Sequence, residues 1–274
     1  MPELPEVETV RRSLAPAVGA TITDAWSRGV GLHMQRKPPL AALKLLAGAT
    51  ITAIRRHGKY LLLDTDAGKS ILVHLGMTGR LRVVPSATER EAHTHVVIGL
   101  GARQLRYADA RRFGQVDVLD TATERAHASL AVLGPDALND GVDPAALLAR
   151  AKGKKALLKT FLLDQSVVAG VGNIYASEAL WRAKVRPSMR AHRLTAAKAV
   201  ALAAAITETL VRSLENHGTT LRDFIAADGS EGNNKEFLWV YDRDGLPCLR
   251  CETPIKRTVH QGRATYYCPT CQAA

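Results

Sequence analysis

Pro2, Glu3 and four cysteines are the residues of this chain whose types and spacing could do chemistry. The sequence opens MPELPEVETVRRSLAP. Once Met1 is trimmed, Pro2 becomes a secondary amine at the chain end, and a secondary amine is a nucleophile. No internal proline has that property. The plain structural alternative is a helix begun by Pro5, with Glu3, Glu6 and Glu8 as acids in its first turn, where negative charge is favourable. At the other end, Cys248-x2-Cys251 and Cys268-x2-Cys271 are separated by sixteen residues. Two such pairs in tight turns can aim four thiolates at one point, the closed tetrahedral shell of a structural zinc ion. Two disulfides are the alternative, which a reducing compartment disfavours.

The elements that must position these groups fall into three textures. After a helix over roughly residues 3–15, apolar at Val7, Val10 and Leu14, come strand-like runs: ATITDAW, KYLLLDTD, KSILVHLG, THVVIGL, RQLRYADA and QVDVLD. Short strands at this spacing predict an antiparallel sandwich or barrel. The cluster LGPDALNDGVDP ends the block. Helical composition follows over Ala145–Lys152, Lys154–Leu163, Asn173–Ala183 and Ala196–Asn216, with Gly218 as a stop. The turn SVVAGVGN joins two of these helices. Gly170 and Gly172 permit tight backbone and Asn173 is a fitting N-cap, so a helix start with free N–H groups lies beside basic residues. A plain interhelical turn is the alternative. From about residue 237 the strand-like FLWVYDRDG leads into the cysteines, between which PIKRTVHQGRATYY predicts a basic β-hairpin held by metal.

The 274 residues carry 46% hydrophobic side chains, enough for a real core, and a formal charge of +11. Residues 150–198 hold eleven Lys or Arg against only Asp164 and Glu178, a local +9. That concentration predicts a polyanionic partner, foremost a nucleic-acid phosphate backbone. Four thiolates with one Zn²⁺ lower the total only to +9, so the basic character survives. No apolar run is long enough to span a membrane, and the N-terminus lacks the layout of a secretory signal. A cytoplasmic, nucleoid-associated monomer is the expectation.

The opening PELPEVET, the turn LLDQSVVAGVGNIYASEAL and the ribbon closing on QGRATYYCPTCQ together resemble the formamidopyrimidine-DNA glycosylases, over nearly the whole chain. Leu4 stands where the related endonuclease VIII branch tends to have glycine. The resemblance implies an α+β multidomain fold. Residues 2–133 would form an N-terminal antiparallel β-sandwich with flanking helices, 134–225 a helix–two-turns–helix domain, and 237–272 a β-hairpin zinc finger with one structural Zn²⁺ on the four cysteines. It implies removal of oxidised purines (8-oxoguanine, formamidopyrimidines) from damaged double-stranded DNA, then β,δ-elimination at the abasic site through an iminium at Pro2. By the same resemblance Glu3 is the general acid at the deoxyribose ring oxygen and Lys59 the active-site lysine. Met77, Arg111 and Phe113 are the intercalating set, and His93, Arg111, Lys159, Asn173 and Arg263 bind DNA. Glu178 matches a position near the site; His74 is a packed strand residue within reach of DNA. The chain departs from the family pattern at Ala110, in place of proline in DARRFG, and at Asn233 and Asn234, in place of an aromatic pair. An endonuclease VIII-like glycosylase for oxidised pyrimidines and a non-catalytic zinc-containing DNA-binding protein are the alternatives.

Overall fold

Two four-stranded antiparallel sheets carry the first unit of this computed structural model, which describes residues 2–33, 36–216, 218–219 and 234–273. The chain divides into two compact units, residues 1–131 with 216–233, and residues 132–215 with 234–274. In the first unit, helix α1 (Leu4–Ser13) precedes β1 (Ala25–Ser27), a short α2 (Leu40–Lys44), β2 (Ile51–His57), β3 (Tyr60–Thr65), β4 (Lys69–His74), β5 (Arg80–Pro85), β6 (Thr94–Leu100), β7 (Arg103–Ala108) and β8 (Gln115–Asp120), followed by α3 (Ala128–Ala131). One sheet has the order β1-β6-β7-β5 and the other β2-β3-β4-β8. Apolar residues of both sheets and of α1 form one core, among them Val7, Val10, Leu63, Ile71, Val96, Leu105 and Tyr107. The expected sandwich with a flanking helix is therefore present. Leucine- and valine-rich runs such as THVVIGL are buried along their whole length. β2 and β5 were not among the expected strands, because arginines interrupt their apolar residues (ITAIRRH and RLRVVP).

The order of pairing sets two loops against each other. β4 pairs with β8 and β5 with β7. Consequently the β4–β5 and β7–β8 connections both cross from one sheet to the other, side by side.

The second unit holds α4 (Pro144–Ala151), α5 (Leu158–Leu163), α6 (Asn173–Arg182) and α7 (Ala196–Glu215), then the hairpin β9 (Lys256–His260) and β10 (Arg263–Tyr267). α4 begins with Pro144 behind Asp143, whose carboxylate accepts from Ala145 N at 2.9 Å, a side-chain cap with proline at the first helical position. Three expectations need correction. Residues 154–157 are not helical, because they bond to the segment at 187–192: Leu158 N donates to Met189 O at 2.7 Å and Ala191 N to Ala156 O at 2.9 Å. FLWVYDRDG is not a strand, since the buried Glu178 carboxylate claims the N–H groups of Trp239, Val240 and Tyr241. The N-cap of α6 is Gly172, and Asn173 is its first helical residue. No helix among the described residues is long and apolar enough to cross a membrane.

Glu8 shows how α1 is fixed. It is 6% exposed, and its oxygens accept from Arg11, Arg12 and Arg56 at 2.8–3.1 Å. Burial pushes this carboxyl up, but the three guanidinium donors outweigh it and hold it at about 2. A carboxyl depressed in the fold stabilises above its ordinary value and loses that contribution as pH falls. Glu8→Gln is therefore expected to lower unfolding free energy at pH 7 by about 1–2 kcal/mol, with solvent screening of the outer arginines allowed for. In urea titrations the gap from the parent should narrow as pH falls from 5 towards 2; a constant gap would contradict the electrostatic account.

Candidate active site and nucleic-acid interface

Pro2 and Glu3 lie at the N-terminal end of α1, and both are buried. Glu3 is the N-cap residue. Its backbone N–H donates to Glu6 Oε2 at 2.8 Å, while Glu6 Oε1 accepts from Thr219 N at 2.7 Å. Glu6 thus holds the residue next to Pro2 with one oxygen and the returning chain with the other. Gly218, at φ +82°, adopts a conformation that favours glycine, and a Cβ there would press on that same Oε1 at 3.0 Å. Composition alone makes Glu6 and Glu8 first-turn decoration. The signal that could have found Glu6 is its spacing, Glu3 to Glu6, which is that of a capping box.

Lys59 is positioned from α1 by a chain of polar contacts. Arg56, whose Nε meets Glu8, donates from its NH1 to Gly58 O at 3.1 Å. His57 pairs with Tyr60, leaving Gly58 and Lys59 as a two-residue hairpin turn with Gly58 at φ +57°, a conformation glycine adopts without cost. Lys59 is only 6% exposed. Tyr60 pairs with His74 across β3–β4, with ring centroids 4.6 Å apart. Burial, then the Lys59 charge, lowers His74 to about 4, so the imidazole is neutral at pH 7. Its Nδ1 accepts from Gly76 N at 3.1 Å, and it packs at a strand end as expected.

The two sheet crossings bring Met77, Arg111 and Phe113 together. Met77 and Phe113 are 37% and 45% exposed, unusual for large apolar side chains, and the Arg111 guanidinium lies 4.8 Å from the Phe113 ring centroid. The crossings touch backbone to backbone. A Cβ on Gly76 would fall 2.5 Å from Gly114 N and Phe113 C, and one on Gly114 would fall 2.5 Å from His74 O. Asp109, 1% exposed, binds both. Its Oδ1 accepts from Thr78 Oγ1 at 2.6 Å and Arg111 N at 3.2 Å, and its Oδ2 from Gly114 N at 2.8 Å and Tyr107 Oη at 3.1 Å. Ala110 lies within this loop, which the Asp109 carboxylate pins at Arg111 and Gly114. His93 is exposed with φ +60°, and its carbonyl accepts from Asp109 N.

In the second unit, Lys159 and Asn173 converge on one carbonyl. Lys159, 1% exposed, donates from Nζ to Ala264 O at 2.8 Å and Thr265 Oγ1 at 3.0 Å. Asn173 Nδ2 donates to Ala264 O at 3.1 Å and Tyr241 Oη at 3.2 Å. Both grip the base of β10 behind Arg263, which is exposed beside the turn Gln261–Gly262. Positive φ at both turn residues (48° and 74°) matches a two-residue hairpin. Before α6, Gln165 occupies the glycine turn, its Oε1 accepting from Gly170 N and its Nε2 donating to Val171 O. Glu178 is fully buried and accepts from Trp239, Val240 and Tyr241 N at 2.7–3.0 Å. Burial raises its carboxyl despite these donors. Glu178 thus folds the chain entering the zinc finger. Asn233 lies outside the described residues; Asn234 is buried in a 3-10 turn, Asn234–Phe237.

The four cysteine sulfurs lie within 4.8 Å of one another, with Cys251–Cys271, Cys251–Cys268 and Cys248–Cys271 at 3.4, 3.5 and 3.9 Å. A tetrahedron with Zn–S of about 2.3 Å has edges of about 3.8 Å, so the donor set fits zinc. Cys251 is held at about 6, chiefly by the Thr253 hydroxyl, whereas burial and then neighbouring sulfurs push Cys271 up to about 12. A dication relieves that mutual repulsion. Trp181, Trp239, Ile255 and Tyr266 pack around the cluster.

A four-cysteine hairpin, a helical unit dense in cations and a sandwich with an exposed aromatic loop together suit a protein that binds a phosphate backbone. Three family models match in sequence: the formamidopyrimidine-DNA glycosylase N-terminal domain over residues 1–116, its H2TH domain over 133–225, and the zinc finger found in FPG and IleRS over 245–274. Formamidopyrimidine-DNA glycosylase from Xanthomonas axonopodis pv. citri is 47% identical over 274 residues, covering 99% of this chain and 100% of its own. A Lactococcus lactis FPG variant in complex with Fapy-dG-containing DNA superposes with a TM-score of 0.91 at 33% identity, covering 100% of both chains. The wild-type Lactococcus lactis protein bound to oxidised-pyrimidine DNA gives 0.90 at 33% identity, again over 100% of both. The chain belongs to the formamidopyrimidine-DNA glycosylase family, and it is an enzyme of the glycosylase class with a four-cysteine site for one zinc ion.

Cys268→Ser, or metal removal by a chelator, is expected to release the hairpin and weaken duplex binding at least about tenfold. Anisotropy with labelled duplex measures the binding. The β-sheet signal of the first unit should persist; its collapse along with binding would mean that zinc supports more than the finger.

Proposed function

We propose that this enzyme excises oxidised purines, formamidopyrimidines and 8-oxoguanine foremost, and cleaves the strand at the resulting abasic site through the N-terminal amine of Pro2. The observation that carries the reading is the buried Pro2–Glu3 pair at the start of α1, held by Glu6 through Glu3 N. A helix N-terminus is electropositive and favours the neutral amine over the ammonium, which keeps the nucleophile available near pH 7. The amine attacks C1′ and the C1′–N bond to the base breaks; the base leaves with the bonding pair and takes up a proton, while the attacking nitrogen gives up its own proton and so recovers a lone pair. Glu3 protonates O4′ as the C1′–O4′ bond opens, and the nitrogen lone pair forms the iminium. This electron sink acidifies C2′. Loss of a C2′ proton expels the 3′ phosphate, a second elimination expels the 5′ phosphate, and water releases the sugar fragment from Pro2. Lys59 serves the damaged nucleotide and its phosphate.

Reaching C1′ requires extruding the nucleotide at a cost of a few kcal/mol. Met77, Arg111 and Phe113 fill the gap as an apolar wedge, a flat cation and a ring. His93, Lys159, Asn173 and Arg263 hold the flanking phosphates. Arg263 does so with an exposed guanidinium, Lys159 and Asn173 through the hairpin they brace. The enzyme acts as a monomer on chromosomal DNA in the cytoplasm. Activity on oxidised pyrimidines is the second reading, supported by the Lactococcus lactis complex with such DNA and by asparagines at 233 and 234 in place of an aromatic pair.

Borohydride trapping on abasic and 8-oxoguanine duplexes tests the chemistry: a covalent adduct is expected with Met-trimmed protein. No adduct from an active preparation, or methionine retained by mass spectrometry on every competent molecule, would overturn it. Pro2→Gly is expected to keep duplex affinity within about threefold while slowing excision by about 10²-fold or more; equal loss of both would contradict the assignment. Asp109→Asn separates extrusion from chemistry. It leaves backbone N–H groups poorly satisfied and should slow excision of 8-oxoguanine at least about tenfold, while incision of a preformed abasic site, which resists extrusion least, stays within about threefold. Parallel loss on both substrates would assign Asp109 to the fold alone.

A further inference from the structure

Residues 179–207 contain no Asp or Glu but six Lys or Arg. In the connection between α6 and α7, Arg186, Ser188, Met189, Arg190 and Arg193 line a cavity of about 300 Å³, roughly the volume of ten liquid waters. Two of its arginines are ordered in advance. The Arg186 guanidinium lies 4.7 Å from the Tyr267 ring centroid, with NH1 reaching towards Gln272 O at 3.4 Å. Arg190 donates from NH1 to Lys155 O at 2.8 Å, which leaves its other N–H groups available. The Arg193 side chain is exposed and has no hydrogen-bond partner among the described residues. Lys198 reaches Met189 at the rim. The chain that carries them is fixed by Leu158 N to Met189 O and Ala191 N to Ala156 O, so the cavity is built on bonded backbone.

We infer that this arginine cavity is a second phosphate site, which takes a backbone phosphodiester of the same duplex outside the lesion contacts. Guanidinium forks match phosphate oxygens. The lining offers no aromatic face on which a base could stack and no carboxylate that could read one, so recognition is of phosphate and independent of sequence. The site is distinct from Arg263. Arg186 meets Tyr267, at the far end of β10 from Arg263, about 13 Å away at strand rise. A separate phosphate must fill it, and only a duplex that extends far enough can supply one. The inference rests on the chain acting on duplex DNA, not on the chemistry at Pro2.

The test uses the full-length zinc-loaded protein and undamaged duplexes of about 12 and 30 base pairs, read by anisotropy across a salt series. It is thereby separate from borohydride trapping. Arg190→Ala with Arg193→Ala should lower the slope of log K against log salt by about 1, at about 0.9 for the one phosphate lost. Affinity for the long duplex should fall about 5- to 50-fold at 0.1 M salt, with little change for the short one. Arg190→Lys with Arg193→Lys should keep most of the slope, and single-turnover excision at saturating enzyme should stay at the parental rate for both pairs. An unchanged slope in the alanine pair overturns the inference. Equal losses on both duplexes, or no recovery in the lysine pair, overturn it too, because a folding defect would then explain the result.

Discussion

A carboxylate removed from water costs several kcal/mol unless strong donors reach its oxygens, and in this protein backbone N–H groups supply them at three places. Glu6 accepts from Glu3 and Thr219, Asp109 from Arg111 and Gly114, and Glu178 from Trp239, Val240 and Tyr241. Each sits at a segment of irregular backbone that no sheet or helix ladder could satisfy. Each segment also carries a piece of the candidate site: the Pro2–Glu3 start, the loop with exposed Phe113, and the approach to the zinc finger. A loop held this way is fixed as firmly as a strand yet keeps its side chains outward, which is what a preformed active site requires. Truncating any of these three side chains would strand at least two N–H donors at once.

That constraint also decides how much of the molecule is legible in its sequence. The cysteine spacing, the Pro2–Glu3 start and the runs that became β3, β4, β6, β7 and β8 can be read because each rests on local chemistry: thiolate geometry, a terminal amine, side-chain hydrophobicity. Glu6 and Glu8 look like ordinary first-turn acids because their partners, Thr219 and Arg56, are 213 and 48 residues away. FLWVYDRDG has strand composition, but its N–H groups go to Glu178, some sixty residues earlier. Residues 154–157 have helical composition, yet the chain at 187–192 takes their backbone bonds. In every case a distant polar partner overrode a local preference, and such pairing has no periodic signature in sequence.

Proximity of the wedge residues has a topological origin rather than a compositional one. Met77 and Phe113 lie 36 positions apart, and each alone would be taken for a core residue. They meet because β4 pairs β8 while β5 pairs β7, which forces two sheet crossings to run alongside each other. Glycine at 76 and 114 lets those crossings touch through backbone, and the Asp109 carboxylate welds them. Once the crossings are locked, large apolar side chains have nowhere to go but outward. Their exposure is then a consequence of the fold and an asset only to a protein that inserts them elsewhere.

Charge is divided by the same logic. Lys159 and Asn173 belong to the most basic part of the chain, but their donors end on Ala264 O, inside the protein. A carbonyl and a hydroxyl replace the water that Lys159 gives up on burial, and the result is a stiff hairpin that presents Arg263 without the entropy of ordering a loop on contact. The exposed cations Lys184, Arg190, Arg193 and Lys198, in contrast, form no ion pair among the described residues, whereas Arg182 is held by Glu208. Structural cations are thus buried against backbone oxygen, and the cations left in solvent are those a phosphate chain can neutralise. The formal +11 therefore overstates the charge available to a partner, and it is the placement of the solvent-facing fraction, not the total, that defines the binding face.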